Sequence, residues 1–135
     1  MRIATLLTLL IAGPALASDI EIYEGSTQVG EVESDGDIYV GSSDRGDFQS
    51  DGDVYQNNSQ IGRVERDGDV YRGSSQIGRI ESDGDIYKGS SQIGRIESDG
   101  DIYKGSTQWG RARNCSDHDD MRAVAAFLFF FTDDF

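Results

Sequence analysis

Residues 85–100 read DIYKGSSQIGRIESDG, and residues 101–110 begin the same string again as DIYKGSTQWG. Worked outward from this unit, a 16-residue frame covers most of the chain: Tyr23, Tyr39, Tyr55, Tyr71, Tyr87 and Tyr103 each fall 16 residues after the last. A repeat of fixed period decides the architecture before any single motif does. From residue 18 on, every glycine keeps to one of three slots of the frame, those of Gly89, Gly94 and Gly84. The slot of Gly89 holds Asn57 in one copy. Asn is the side chain that best tolerates positive φ, so this slot predicts a left-handed turn position. The slot of Gly94 admits no exception, which points to close approach of another backbone or a ring. The slot of Gly84 lies in Ser-Asp-Gly-Asp, and Asp-Gly between β-forming residues predicts a two-residue type I′ hairpin turn. That turn sets Ser82 opposite Asp85, Glu81 opposite Ile86 and Ile80 opposite Tyr87. One face of the hairpin then carries Ile80 and Tyr87, and the other Ile77, Ile86 and Arg79.

Strands of about 5 residues cannot stand as isolated hairpins in water. The predicted fold is therefore all-β: a flower- or propeller-like ring of short antiparallel hairpins over residues 18–113. The segments Ile20–Glu24 and Trp109–Arg113 lack a hairpin partner and are expected to pair, removing both open edges. A parallel β-solenoid is the alternative. It would stack like residues about 4.8 Å apart and build ladders of acids from the Asp-Gly-Asp turns, which disfavours it. The second copy departs from the rest with Arg45, Phe48 and Gln49, read as local repacking.

Residues 114–135 leave the repeat. Ser116 with Asp119 three positions on predicts a helix start, and Asp117, Asp119 and Asp120 suit its positive end. The expected helix runs over 117–131, and residues 123–131 are apolar all round. Such a helix is buried on every side, and nine residues fall short of the roughly 20 that span a bilayer. It is expected to plug the ring, with Trp109 packed against the tail. The pattern IY-x-GS-x-x-IG-x-(I/V), followed by the Ala126–Phe131 tail, resembles the bacterial five-fold β-flower family. The resemblance implies a pseudo-symmetric flower of hairpins and carries no activity. The six tyrosine units leave five-fold against six-fold symmetry open.

Residues 1–17, MRIATLLTLLIAGPALA, have the order of a secretory signal: Arg2, an apolar middle, then Ala15-Leu16-Ala17 as the cleavage site. The expected mature chain begins at Ser18 and is exported, periplasmic or secreted. With 12 Lys+Arg against 25 Asp+Glu, the net charge of -13 argues against nucleic acid and anionic membranes as partners. No membrane span is expected, and one cysteine excludes an internal disulfide framework.

Two chemistries have candidate residues. The turn pairs Asp67/Asp69, Asp83/Asp85 and Asp99/Asp101 are hard oxygen ligands of the kind calcium takes. Tyr39, Tyr55, Tyr71, Tyr87 and Tyr103 with their neighbouring glycines would form aromatic grooves for a sugar or a choline-like amine. Against these, the turn and solubility account for the acids, and a core position with the hydroxyl at the rim accounts for the tyrosines. Cys115 and His118 are too few for a metal, no nucleophile–base pair can be assembled, and no cofactor is expected. The function expected is a non-catalytic envelope or extracellular module, structural or interaction-mediating, whose partner the sequence does not name. The alternative is a small-ligand or calcium-binding module.

Overall fold

The computed structural model describes residues 16–135. The expected signal segment thus lies outside the described residues apart from Leu16 and Ala17. Twelve strands follow one another: β1 Ile20–Glu24, β2 Thr27–Val32, β3 Asp37–Val40, β4 Ser43–Phe48, β5 Asp53–Gln56, β6 Ser59–Val64, β7 Asp69–Arg72, β8 Ser75–Ile80, β9 Asp85–Lys88, β10 Ser91–Ile96, β11 Asp101–Lys104 and β12 Thr107–Arg113. One helix, α1 His118–Phe130, ends the chain. Every strand pairs antiparallel with its chain neighbours, and β12 pairs with β1 through Arg111↔Tyr23 and Ala112↔Ile22. The result is a closed barrel, not stacked parallel coils, sealed by the two segments that the repeat leaves unpaired. Six hairpins make it up, so the count is six and not five.

Two turns alternate. In the Gly-Ser turns, Gly89 has φ +61 and Lys88 pairs with Ser91 across a two-residue loop. Asn57, at φ 53, takes the same slot, as expected. The Asp-Gly turns differ from expectation. Gly84 has φ +96 while Asp83 stays at negative φ, Gly84 N donates to Glu81 O at 2.8 Å, and Glu81 N donates to Asp85 O at 2.8 Å. This is a three-residue loop with the glycine as its left-handed bulge residue, not type I′. Asp83 Oδ1 accepts the Asp85 N–H at 3.1 Å and holds the tighter conformation.

The extra loop residue moves the register by one, which exchanges the faces of the hairpin. Ile86 pairs with Ile80, and Tyr87 with Arg79. Ile80 and Ile86 therefore point inward and are fully buried, whereas the tyrosines stand half-buried on the outer wall. The core position expected for them is not realised. Each Gly-Ser hairpin also carries a bulge, at Ile93 between the Ile86↔Gly94 and Tyr87↔Gln92 pairs for example. A bulge on every second strand bends and twists the wall toward closure.

Twelve strands enclose more room than their own inward side chains fill. The helix fills it. Phe127 lies over Gly30 on β2, and Phe129 over Gly78 on β8. Those strands are six places apart in the twelve-strand order, so α1 touches opposite walls and lies along the axis. Residues Asp120 to Phe129 are all buried. The glycine slot without exceptions is explained: a Cβ at Gly78 would meet Phe129 Cζ at 2.8 Å and the Tyr87 carbonyl.

The helix starts one residue later than expected. Asp117 is the N-cap, accepting from Asp120 N at 2.9 Å. The Asp120 carboxylate is committed to the N–H groups of Ser116 and Asp117 at 3.0 and 3.4 Å, which leaves Ser116 outside the cap. Buried Arg122 lashes the helix to the wall, donating to Val64 O at 2.6 Å, Glu65 O at 2.8 Å and Asp119 Oδ1 at 3.2 Å.

Candidate functional site

The outer wall carries one motif three times. The cross-strand pairs Arg63↔Tyr71, Arg79↔Tyr87 and Arg95↔Tyr103 set each guanidinium over its tyrosine ring, at 4.4, 4.2 and 4.4 Å from the centroid. Each arginine also reaches the glutamate two residues on, with Nε 2.8 Å from Glu65, 3.0 Å from Glu81 and 3.0 Å from Glu97. The candidate grooves at Tyr71, Tyr87 and Tyr103 thus hold a cation of the chain's own on one ring face. Pairs this exposed contribute about 0–1 kcal/mol each, so they shape the surface more than they hold the fold.

Tyr39 and Tyr55 differ. The residues opposite them are Glu31 and Asp47, and among the described residues no cation lies over either ring. Like charges crowd this side. The Glu31 carboxyl is held above its ordinary value by burial, then by Asp19 and Glu21. Asp37 is raised by burial, then by Asp35, Asp44 and Asp47. The Tyr39 hydroxyl is pushed up first by Glu33.

The turn acids come together in threes. Glu65 joins Asp67 and Asp69, Glu81 joins Asp83 and Asp85, and Glu97 joins Asp99 and Asp101, each trio with oxygens within 4.8 Å of one another. One oxygen of Asp67, Asp83 and Asp99 is already committed to the backbone N–H of Asp69, Asp85 and Asp101, at 3.1, 3.1 and 3.0 Å. The glutamate of each trio is paired with its arginine. Asp69, Asp85 and Asp101 face Arg79, Arg95 and Arg111 across the strand pairs without a side-chain hydrogen bond among the described residues, and two further trios, Glu33/Asp35/Asp37 and Asp19/Glu31/Glu33, carry no arginine. Burial, with Asp83 and Glu81 next, raises the Asp85 carboxyl.

A cleft of about 340 Å³ opens at the closure seam, lined by Gly25, Gln108, Trp109, Gly110 and Arg111. Trp109 packs edge-on against Phe135, 5.4 Å between centroids, and donates to Asp134 Oδ2 at 3.0 Å. It holds the tail, as expected. Cys115 is buried, and burial followed by Asp120 and Asp117 pushes its thiol up to about 12. His118 lies against Ile80 O at 3.3 Å.

The sequence reading passed over the uneven distribution of charge. Residues 19–53 hold eleven acids against Arg45 alone, whereas residues 54–113 hold nine of each sign. The signal was present in the frame: the slot of Arg63, Arg79, Arg95 and Arg111 holds Glu31 and Asp47 in the first two copies. Only the register shows that this slot faces a tyrosine. No family model, no curated protein and no solved structure matches the chain.

Proposed function

We propose that the protein is an exported, non-catalytic interaction module of the cell envelope or its exterior, which works through its outer wall. The observation that carries this reading is the filled interior. The helix occupies the space inside the barrel, with Phe127 and Phe129 against opposite walls, so the varied chemistry is displayed outside. A rigid closed wall without open edges suits a surface that presents side chains and does not itself rearrange. Among the described residues no helix is long and apolar enough to cross a membrane.

The test has two arms. Amino-terminal sequencing of the protein from the producing cells is expected to begin at Ser18, in an exported fraction. A chain beginning at Met1 inside the cell ends the export reading. A photo-crosslinking residue placed at Tyr39, Tyr71 or Tyr103 is expected to give one saturable product, strongest from one side of the barrel. Equal, non-saturable labelling from all three ends the interaction reading.

A further inference from the structure

We propose that the wall formed by β1–β4 and the start of β5 docks an arginine-bearing segment of a partner protein, whose guanidinium groups take the bare faces of Tyr39 and Tyr55. The inference rests on the interaction-module reading above and names its partner chemistry.

The barrel itself supplies the precedent. Three hairpins place Arg63, Arg79 and Arg95 over Tyr71, Tyr87 and Tyr103 at 4.2–4.4 Å, each tied to a glutamate. At the two equivalent places the ring is kept and the arginine is exchanged for an acid, Glu31 or Asp47. At Tyr39 the glutamate of a guanidinium site is kept as Glu33, at Tyr55 its slot holds Gln49 and Asp47 supplies the carboxylate, and at both the cation is missing. Eleven acids against one arginine across residues 19–53 supply the charge complement; burial first, and neighbouring acids next, raise the carboxyls of Glu31, Glu33 and Asp37. A planar guanidinium stacks on a ring and pairs with a carboxylate at once, which an ammonium does less well. Tyr39 and Tyr55 stand on β3 and β5, two strand spacings apart across the wall and, facing Asp44 and Asp47 of β4, about two residues apart along it, which makes about 12 Å in all. In an extended segment alternate side chains share a face and four residues advance about 13 Å, so the fitting partner offers two arginines at i and i+4.

The probe is a heptapeptide with arginines at its second and sixth positions and glycine elsewhere, against its lysine counterpart, at near-physiological salt. Ring resonances of Tyr39 and Tyr55 are expected to shift with the arginine peptide while those of Tyr87 stay, and the lysine peptide is expected to bind about tenfold more weakly. The double variant Glu31→Arg, Asp47→Arg installs the chain's own cations and is expected to abolish binding. A control with the same change in net charge on the far side, D67N/D83N/D99N/D101N, is expected to bind within about twofold of the native protein. Should the double arginine variant not fold, Glu31→Gln with Asp47→Asn asks the same question with a smaller expected loss. Equal loss in the far-side control, equal binding of both peptides, or calcium alone shifting the same two rings at lower concentration overturns the proposal. Persistent wall crosslinks without peptide binding defeat this inference alone. Crosslinks that are equal and non-saturable at every position defeat the module reading as well.

Discussion

At Gly78 a single methyl group has nowhere to go. Its carbon would meet the Phe129 ring at 2.8 Å and the backbone carbonyl of Tyr87 besides. Gly78→Ala is expected to cost about 1–3 kcal/mol through overpacking, measured by chemical denaturation. Gly89 is the contrast. Nothing lies within 4 Å of its would-be Cβ, and only φ +61 constrains it. Gly89→Asn, which copies Asn57, is expected to cost under about 1 kcal/mol. If the two variants melt alike, the steric account of the invariant slot is wrong. Cys115 belongs to the same scale. A buried thiol raised to about 12 offers almost no thiolate at neutral pH. It is expected to resist a thiol reagent in the native protein and to react fully on unfolding; prompt labelling under native conditions would contradict its placement. Two glycine roles were legible in the residues, since the Asn57 exception marks tolerance of positive φ and the invariant slot marks a close approach; the Asp-Gly slot was read as type I′ and is a three-residue loop. The tyrosines were misplaced because a side chain's face depends on register. That turned on one loop residue whose conformation is set by Asp83 bonding to the Asp85 N–H.

The helix is the element on which the barrel depends. Its flank offers no polar face, and its C-terminal turn carries no basic residue of its own. The wall provides a cation there: Arg72 donates to Phe129 O at 3.3 Å, and beyond the helix Lys88 donates to Phe135 O at 3.2 Å. At the other end Arg122 spans from the helix to Val64 and Glu65. Truncating residues 121–135 leaves the inward isoleucines and valines facing an unfilled interior. Cooperative thermal unfolding is then expected to disappear, read by circular dichroism, and a truncated chain with an unchanged melt would show the plug to be dispensable. Arg122→Ala is milder. It strips two buried carbonyls of their donors and is expected to cost about 3 kcal/mol. Leu16, at 4 % exposure, also joins the core cluster. Cleavage after Ala17 would release that contact, worth about 1.5–3 kcal/mol. The helix's existence and its burial were readable from an apolar stretch without a polar side. Its first residue was not, because Ser116 and Asp117 are both good caps and the choice rested on where the Asp120 carboxylate turns.

At the scale of the whole molecule the charge is lopsided, acid-rich over β1–β4, balanced over residues 54–113 and acidic again in the tail. The carboxyls of Glu31, Glu33 and Asp37 are raised in the folded state, by burial first and by neighbouring acids next. A carboxyl whose folded value exceeds its unfolded one binds its proton more tightly when folded. Stability therefore falls as pH rises through the interval above the ordinary 4.5 of the glutamates, and recovers as pH drops back through it. The melting temperature at low salt is expected to be higher near the lower edge of that interval than at neutral pH. Added sodium chloride should narrow the difference by screening. Calcium at matched ionic strength should do no more than magnesium; a calcium-specific rise would instead assign the turn trios a metal. An Asp47→Asn, Glu31→Gln variant is expected to flatten the pH response.

Period, the places of the turns and net charge were settled by the residues alone, since glycine slots, Asp-Gly pairs and an apolar tail are local facts that any fold of this chain must satisfy; the type of the Asp-Gly turn was not. Antiparallel closure followed too, because Ile20–Glu24 and Trp109–Arg113 had no other partners. Which way each side chain faces, and so which residues form the wall and which the core, was decided by the tertiary structure. A strand's two faces exchange with a one-residue shift in pairing, and here the third residue of each Asp-Gly loop, held by bonds such as Asp83 Oδ1 to the Asp85 N–H, sets that shift. The bare rings of Tyr39 and Tyr55 became visible only when the register set Glu31 and Asp47 across from them.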